Sequence, residues 1–135
     1  MLEAAFVFDY RGSVLFWHLP SARSSGALPD SRDLWDVLWE NREWLGGVAH
    51  THPWSGRSGP SGTDLTTFAA CEKGLGKRLL WPIVTFDHVA IYQWHGSNKH
   101  DYRALPEELA GLLFDKEDIE RLRDLSRGRM EKEND

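Results

Sequence analysis

The chain has 135 residues, enough for one domain with a core of its own. Apolar residues make up 41% of it, seven of them tryptophan, and the formal net charge is −5. That balance gives no electrostatic reason to expect nucleic acid or an anionic membrane as partner, and a single cysteine, Cys71, excludes an internal disulfide and a cysteine-rich zinc site. No run approaches the ~20 apolar residues of a membrane helix, and the first twelve residues lack the basic start of a signal peptide. A cytoplasmic protein is therefore expected.

Taken in chain order, AAFVFD and SVLFWHL are apolar, β-prone runs separated by YRG and predict a hairpin. Residues 19–33 read as a loop that ends in helix-start signals at Asp30 and Ser31. Leu34, Trp35, Leu38, Trp39 and Leu45 recur near helical spacing, with Trp35 and Trp39 expected in the core and Gly46-Gly47 as the helix stop. VAH is short and β-like. A second helix carries Leu65, Phe68 and Ala69 and closes at Gly74 or Gly76. WPIVTFDHVAIYQWHG predicts a second hairpin turning near Asp87-His88. Pro106 begins a short helix with Leu109, Leu112 and Leu113, and Asp115 caps another with Ile119, Leu122 and Leu125 on one side. The organisation is one α/β domain over 1–126, followed by a charged tail over 127–135 expected to be disordered.

The chemistry concentrates in GGVAHTHPWSGRSGPSGTDLTTF. On a strand, His50 and His52 share a face, because side chains alternate with period two. Pro53 ends that strand, and the small residues of WSGRSGPSG let the chain turn back, so that Asp64 in the next helix can bring a carboxylate to the same point. Two imidazoles, a carboxylate and a water make an open tetrahedral zinc site of the catalytic kind. Ser61, three residues earlier, is placed to donate to an oxyanion, yet Ser61 and Asp64 also fit the S-x-x-D capping box that needs no function. The histidine pair alone carries little weight, partly buried or surface histidines being the default reading.

Together, HTHP, seven residues and SGTD resemble the His-x-His-Pro…Ser-x-x-Asp signature of the JAMM metalloproteases, the catalytic MPN, Mov34 or JAB domains. The resemblance covers roughly residues 3–96 and includes the order hairpin, helix, motif strand, helix, hairpin. It implies a single-domain α/β/α sandwich with a mixed sheet, like that of the cytidine deaminases, and zinc-dependent amide hydrolysis. Family members cut isopeptide or peptide bonds at the C-terminal tails of ubiquitin-like proteins, and bacterial relatives process sulfur-carrier proteins or resemble phage-associated cell-wall peptidases. Carried over by position, His50, His52 and Asp64 are the zinc ligands and Ser61 is the hydrogen-bonding serine. The family's general base is a glutamate before the first hairpin, for which Glu3 is the positional match and Glu40 and Glu43 the alternatives.

The rival readings are a metal-bearing but inactive module that binds a ubiquitin-like partner, and a deaminase-like zinc hydrolase, for which the H-x-E…P-C-x-x-C signature is lacking. Trp54 is open between lining a substrate cleft and ordinary packing. Cys71 is expected as a buried thiol, and His88, His95, His100 and Arg57 as surface residues.

Overall fold

The computed structural model describes residues 1–128, where six strands and four helices interleave. β1 (Ala5–Asp9) and β2 (Val14–His18) form the first hairpin as antiparallel partners. α1 (Arg32–Glu40) starts at Ser31, whose side chain accepts from the Leu34 amide. β3 (Leu45–Thr51) leads through the motif loop into α2 (Gly62–Leu75), which ends at Gly76 in the left-handed region with φ 71°. β4 (Trp81–Val84) and β5 (Val89–Trp94) make the second hairpin. β6 (Tyr102–Ala104), α3 (Glu108–Leu113) and α4 (Lys116–Ser126) complete the described chain.

The six strands form one mixed sheet in the order β2-β1-β3-β4-β5-β6. Only β3 and β4 run parallel, and α2 is the crossover that such a pair requires. Both faces of the sheet are covered. Ala5 and Val7 point to a core shared with α1 and α2, and Phe6 and Phe8 to a second core built with α3 and α4. The two central strands are apolar on alternate residues of both faces because each face meets helices.

Two expectations are corrected. α1 stops at Glu40, where Asn41 closes it by donating from its backbone and side chain to Val37 O. Gly46 and Gly47 are therefore not a helix stop but part of β3. They are glycine because a Cβ there would lie 2.5 Å from Asp9 O and 1.8 Å from Leu80 O respectively. Trp35 and Trp39 are not core residues: they are 40% and 46% exposed, while Leu34 and Leu38 face the sheet. The guanidinium of Arg42 covers the Trp39 ring at 4.1 Å. Leu112 lies on the outer side of α3, with Leu109 and Leu113 turned inward. Arg127 and Gly128 follow α4, Arg127 over the Phe86 ring, and the rest of the expected tail, 129–135, lies outside the described residues.

Glu72 ties the layers together. This α2 carboxylate is 4% exposed and accepts from the Leu79 amide, Trp81 Nε1, Arg78 Nη1 and the Tyr102 hydroxyl. Four donors make a buried charge tolerable and bolt α2 to β4 and β6.

Replacing Gly47 with Ala drives a methyl into a backbone carbonyl that has nowhere to move. The expected loss is about 3 kcal/mol, at the top of the usual range for overpacking, read as a lower urea midpoint at unchanged slope.

Candidate metal centre

The carboxyl end of β3 carries His50 and His52, both buried and on one face of the strand. β1 pairs with β3 through Ala5↔His50, and Thr51 and Ala4 continue that pairing through Thr51 N to Ala4 O at 2.9 Å. Two residues before Ala5, Glu3 therefore stands on the face of the histidines, next to His52. Its backbone is pinned on both sides: Glu3 N donates to Ser24 O at 2.7 Å, and Arg23 Nη1 donates to Glu3 O at 3.0 Å. One residue earlier, Leu2 exchanges two 2.7 Å bonds with Ser126 at the end of α4. Glu3 is only 8% exposed despite its place near the start of the chain.

α2 supplies the third donor. Ser61 caps it by accepting from Asp64 N at 3.0 Å, and Asp64 Oδ2 accepts in return from Ser61 N at 3.0 Å. The same Oδ2 lies 3.0 Å from His52 Nε2 and 3.3 Å from His50 Nε2, and the two Nε2 atoms are 3.2 Å apart. One oxygen and two ring nitrogens thus converge on a single point. A proton joins two of three such atoms and leaves the other contacts as lone pair against lone pair, whereas a cation satisfies all three. Zinc bonds of about 2.0–2.1 Å give a tetrahedron with edges of about 3.3–3.4 Å, close to the triangle observed. A Glu3 oxygen and the histidine nitrogens all lie within 4.8 Å of one another, so Glu3, His50 and His52 also form a group that could hold a metal ion.

Ser58 Oγ lies 2.6 Å from His52 Nδ1. With the ring hydrogen assigned to Nδ1, Ser58 accepts it and the Nε2 lone pair is turned to the centre. The indole of Trp54 lies against the other side of that ring, 4.8 Å between centroids. Burial works to raise the Asp64 carboxyl, but the adjoining imidazoles of His50 and His52 and the hydrogen bond from the Ser61 backbone overcome it and hold Asp64 well below the usual carboxylate range. Glu3 moves the other way: burial raises it above 4.5, only partly offset by the two histidines.

Comparison with models of known protein families found no match, and no curated protein matched the chain.

The structure brings together Glu3, His50, His52, Ser61 and Asp64 around one cleft of about 600 Å³. Glu40 and Glu43 stay on the solvent side of α1 and the turn after it. Trp54, 48% exposed, lines the cleft mouth. Cys71 is half-buried in the cleft wall rather than fully enclosed, and burial pushes its thiol up to about 11. His88, His95 and His100 are exposed, and Arg57 reaches Glu107 at 3.8 Å. Ser58, Arg23 and His18 were not picked out by the sequence. His18 Nε2 donates to Pro29 O at 2.7 Å, and burial lowers its pKa, so a neutral ring fastens the loop at the cleft rim. The only sequence signal for Ser58 is its place two residues before Pro60 in the motif loop. A second concavity, about 730 Å³ beside Lys73, Arg78 and Trp94, contains none of these groups.

Ser58→Ala removes the orienting contact, and zinc affinity is expected to fall about 10–100-fold by competition with a chromophoric chelator. In the metal-free protein, the raised Glu3 value means that the fold binds its proton more tightly than the unfolded chain does. That contribution is complete below 4.5, the ordinary glutamate value, and is lost as pH rises through the raised one. Metal-free Glu3→Gln should therefore melt above the parent at pH 7.5, with the gap closing at low pH.

Proposed function

We propose that the protein is a zinc-dependent metallopeptidase of the JAMM type, built on an MPN-like sandwich. The observation that carries this reading is the convergence of His50 Nε2, His52 Nε2 and Asp64 Oδ2 at 3.0–3.3 Å, with the Glu3 carboxyl beside them. The order of hairpin, helix, motif strand, helix and hairpin supports the same fold assignment. His50, His52 and Asp64 would hold the zinc ion, which when bound would supply a water of pKa about 7 and a Lewis acid for the carbonyl.

Glu3, within 4.8 Å of the histidine nitrogens, would accept a proton from the attacking water as its oxygen adds to the amide carbon. Ser61 Oγ accepts from Asp64 N through a lone pair, which leaves its hydrogen free to donate to the oxyanion of the tetrahedral adduct. Glu3 then delivers its proton to the departing nitrogen as the C–N bond breaks, leaving a carboxylic acid and an amine. The substrate on this reading is an isopeptide or peptide bond at the tail of a ubiquitin-like or sulfur-carrier protein, a deubiquitinase-like chemistry. The case for an inactive binding module leaned on a loosely held base, and the bonds to Ser24 and Arg23 remove that support.

Elemental analysis should find about one zinc per chain, lost in His52→Ala. Glu3→Gln should keep the zinc and lower turnover by about 10²–10⁴-fold, the range of a general base. Absence of metal after zinc is supplied and excess removed would defeat the reading.

A further inference from the structure

The cleft has two unlike ends. At one stand the metal-binding groups and Glu3, and at the other the wall is apolar, made by Leu28, Leu34, Leu38, Val48, Phe68 and Trp81. A continuous ring floor joins them. His50 meets Phe68 edge-on at 6.2 Å between centroids, and Phe68 stacks on Trp81 at 4.3 Å and 14°. Trp81 offers no donor to an occupant, because its Nε1–H is already given to Glu72. Cys71 in the same wall is a neutral thiol at physiological pH, since burial holds it near 11. The charged group at this end, Asp30, is exposed at the rim, beside the loop that His18 fastens through Pro29. A concave, apolar compartment continuous with a reactive centre is a side-chain subsite, and polar occupants find no partner on its floor.

Resting on the peptidase reading above, we infer that this compartment receives a large aliphatic or aromatic side chain of the residue flanking the scissile amide. The substrate class is then a peptide or tail with leucine, phenylalanine or a similar residue on one side of the cut, and a junction with glycine on both sides leaves the compartment empty. Ser25 to Leu28 and Cys71 line the same cleft, so Leu28 and Cys71 set the size of side chain accepted.

Two measurements on the whole chain test this separately from the peptidase reading. First, zinc-free protein is titrated by NMR with acetyl-glycine, acetyl-leucine, acetyl-phenylalanine and acetyl-aspartate methylamides. The leucine and phenylalanine amides should bind at least about tenfold tighter than the glycine amide, the discrimination expected of an apolar pocket. Cys71→Trp, which fills the compartment, should erase that difference. Leu28→Asp on the loop should do the same, and it serves if the tryptophan variant does not fold. Second, zinc-loaded protein is given peptides varied one position at a time on each side of a single amide, and kcat/KM should rise by the same factor for leucine on one side. Selective binding without hydrolysis of any peptide defeats the peptidase reading and leaves the compartment standing. Equal binding of all four amides, or faster cleavage of glycine-flanked peptides, overturns the inference.

Discussion

Antiparallel pairing of β1 with β3 is the constraint on which the rest of the molecule depends. It sets Ala5 opposite His50, so a small side chain faces that imidazole, and it carries Glu3 up beside His52. Because side chains alternate, a slip of one residue would swing Glu3 to the far face and put Phe6 against the imidazole. Such a slip would also expose Phe6, Phe8, Ala5 and Val7 to the wrong cores, each of them at most 1% exposed in this register. At about 1.5–3 kcal/mol for each large buried side chain, the packing of β1 enforces the alignment of Glu3 with His50 and His52. The same residues that make the core thus also set the geometry of the site.

The third donor is held by a different device. Asp64 arrives at the end of a helix whose position is set at both termini, by its capping box at one end and by the buried Glu72 near the other. Glu72 ties α2 to two strands through side chains and a backbone amide, so the helix cannot slide along the sheet without stranding a charge. The centre therefore rests on a strand end and a helix start, both rigid, with only the 53–60 loop between them.

Much of this was legible in the chain. Both hairpins, the start of α1 at Ser31, the close of α2 at Gly76 and the inward residues of α4 follow from local signals, and the motif spacing already placed His50, His52 and Asp64 near one another. What escaped was non-local. β6 is three residues with two of them exposed, and it exists because β5 offers it an edge. Gly46 and Gly47 look like a helix stop until the neighbouring strands show how little room they have. Trp35 and Trp39 fit a helical stripe as well as Leu34 and Leu38 do, and only the direction from which the sheet approaches distinguishes the pairs. Arg23 sits in a serine-rich loop that reads as solvent-exposed, yet it is 7% exposed because two carbonyls, of Glu3 and Leu125, take its guanidinium.

That arginine belongs to a short segment with two duties. Arg23 and Ser24 hold the backbone of Glu3, and Ser25 to Leu28, immediately after them, wall the apolar end of the cleft. The Ser24 amide in turn donates to Ala27 O, closing a tight loop between the two functions. Leu28 is thus joined through a few bonds to the carbonyl and guanidinium that hold the Glu3 backbone. On the proposed peptidase reading, an occupant seated against Leu28 would steady Glu3, and a poor one would leave it less well aimed. Discrimination built this way would appear in the rate of the chemical step as well as in binding.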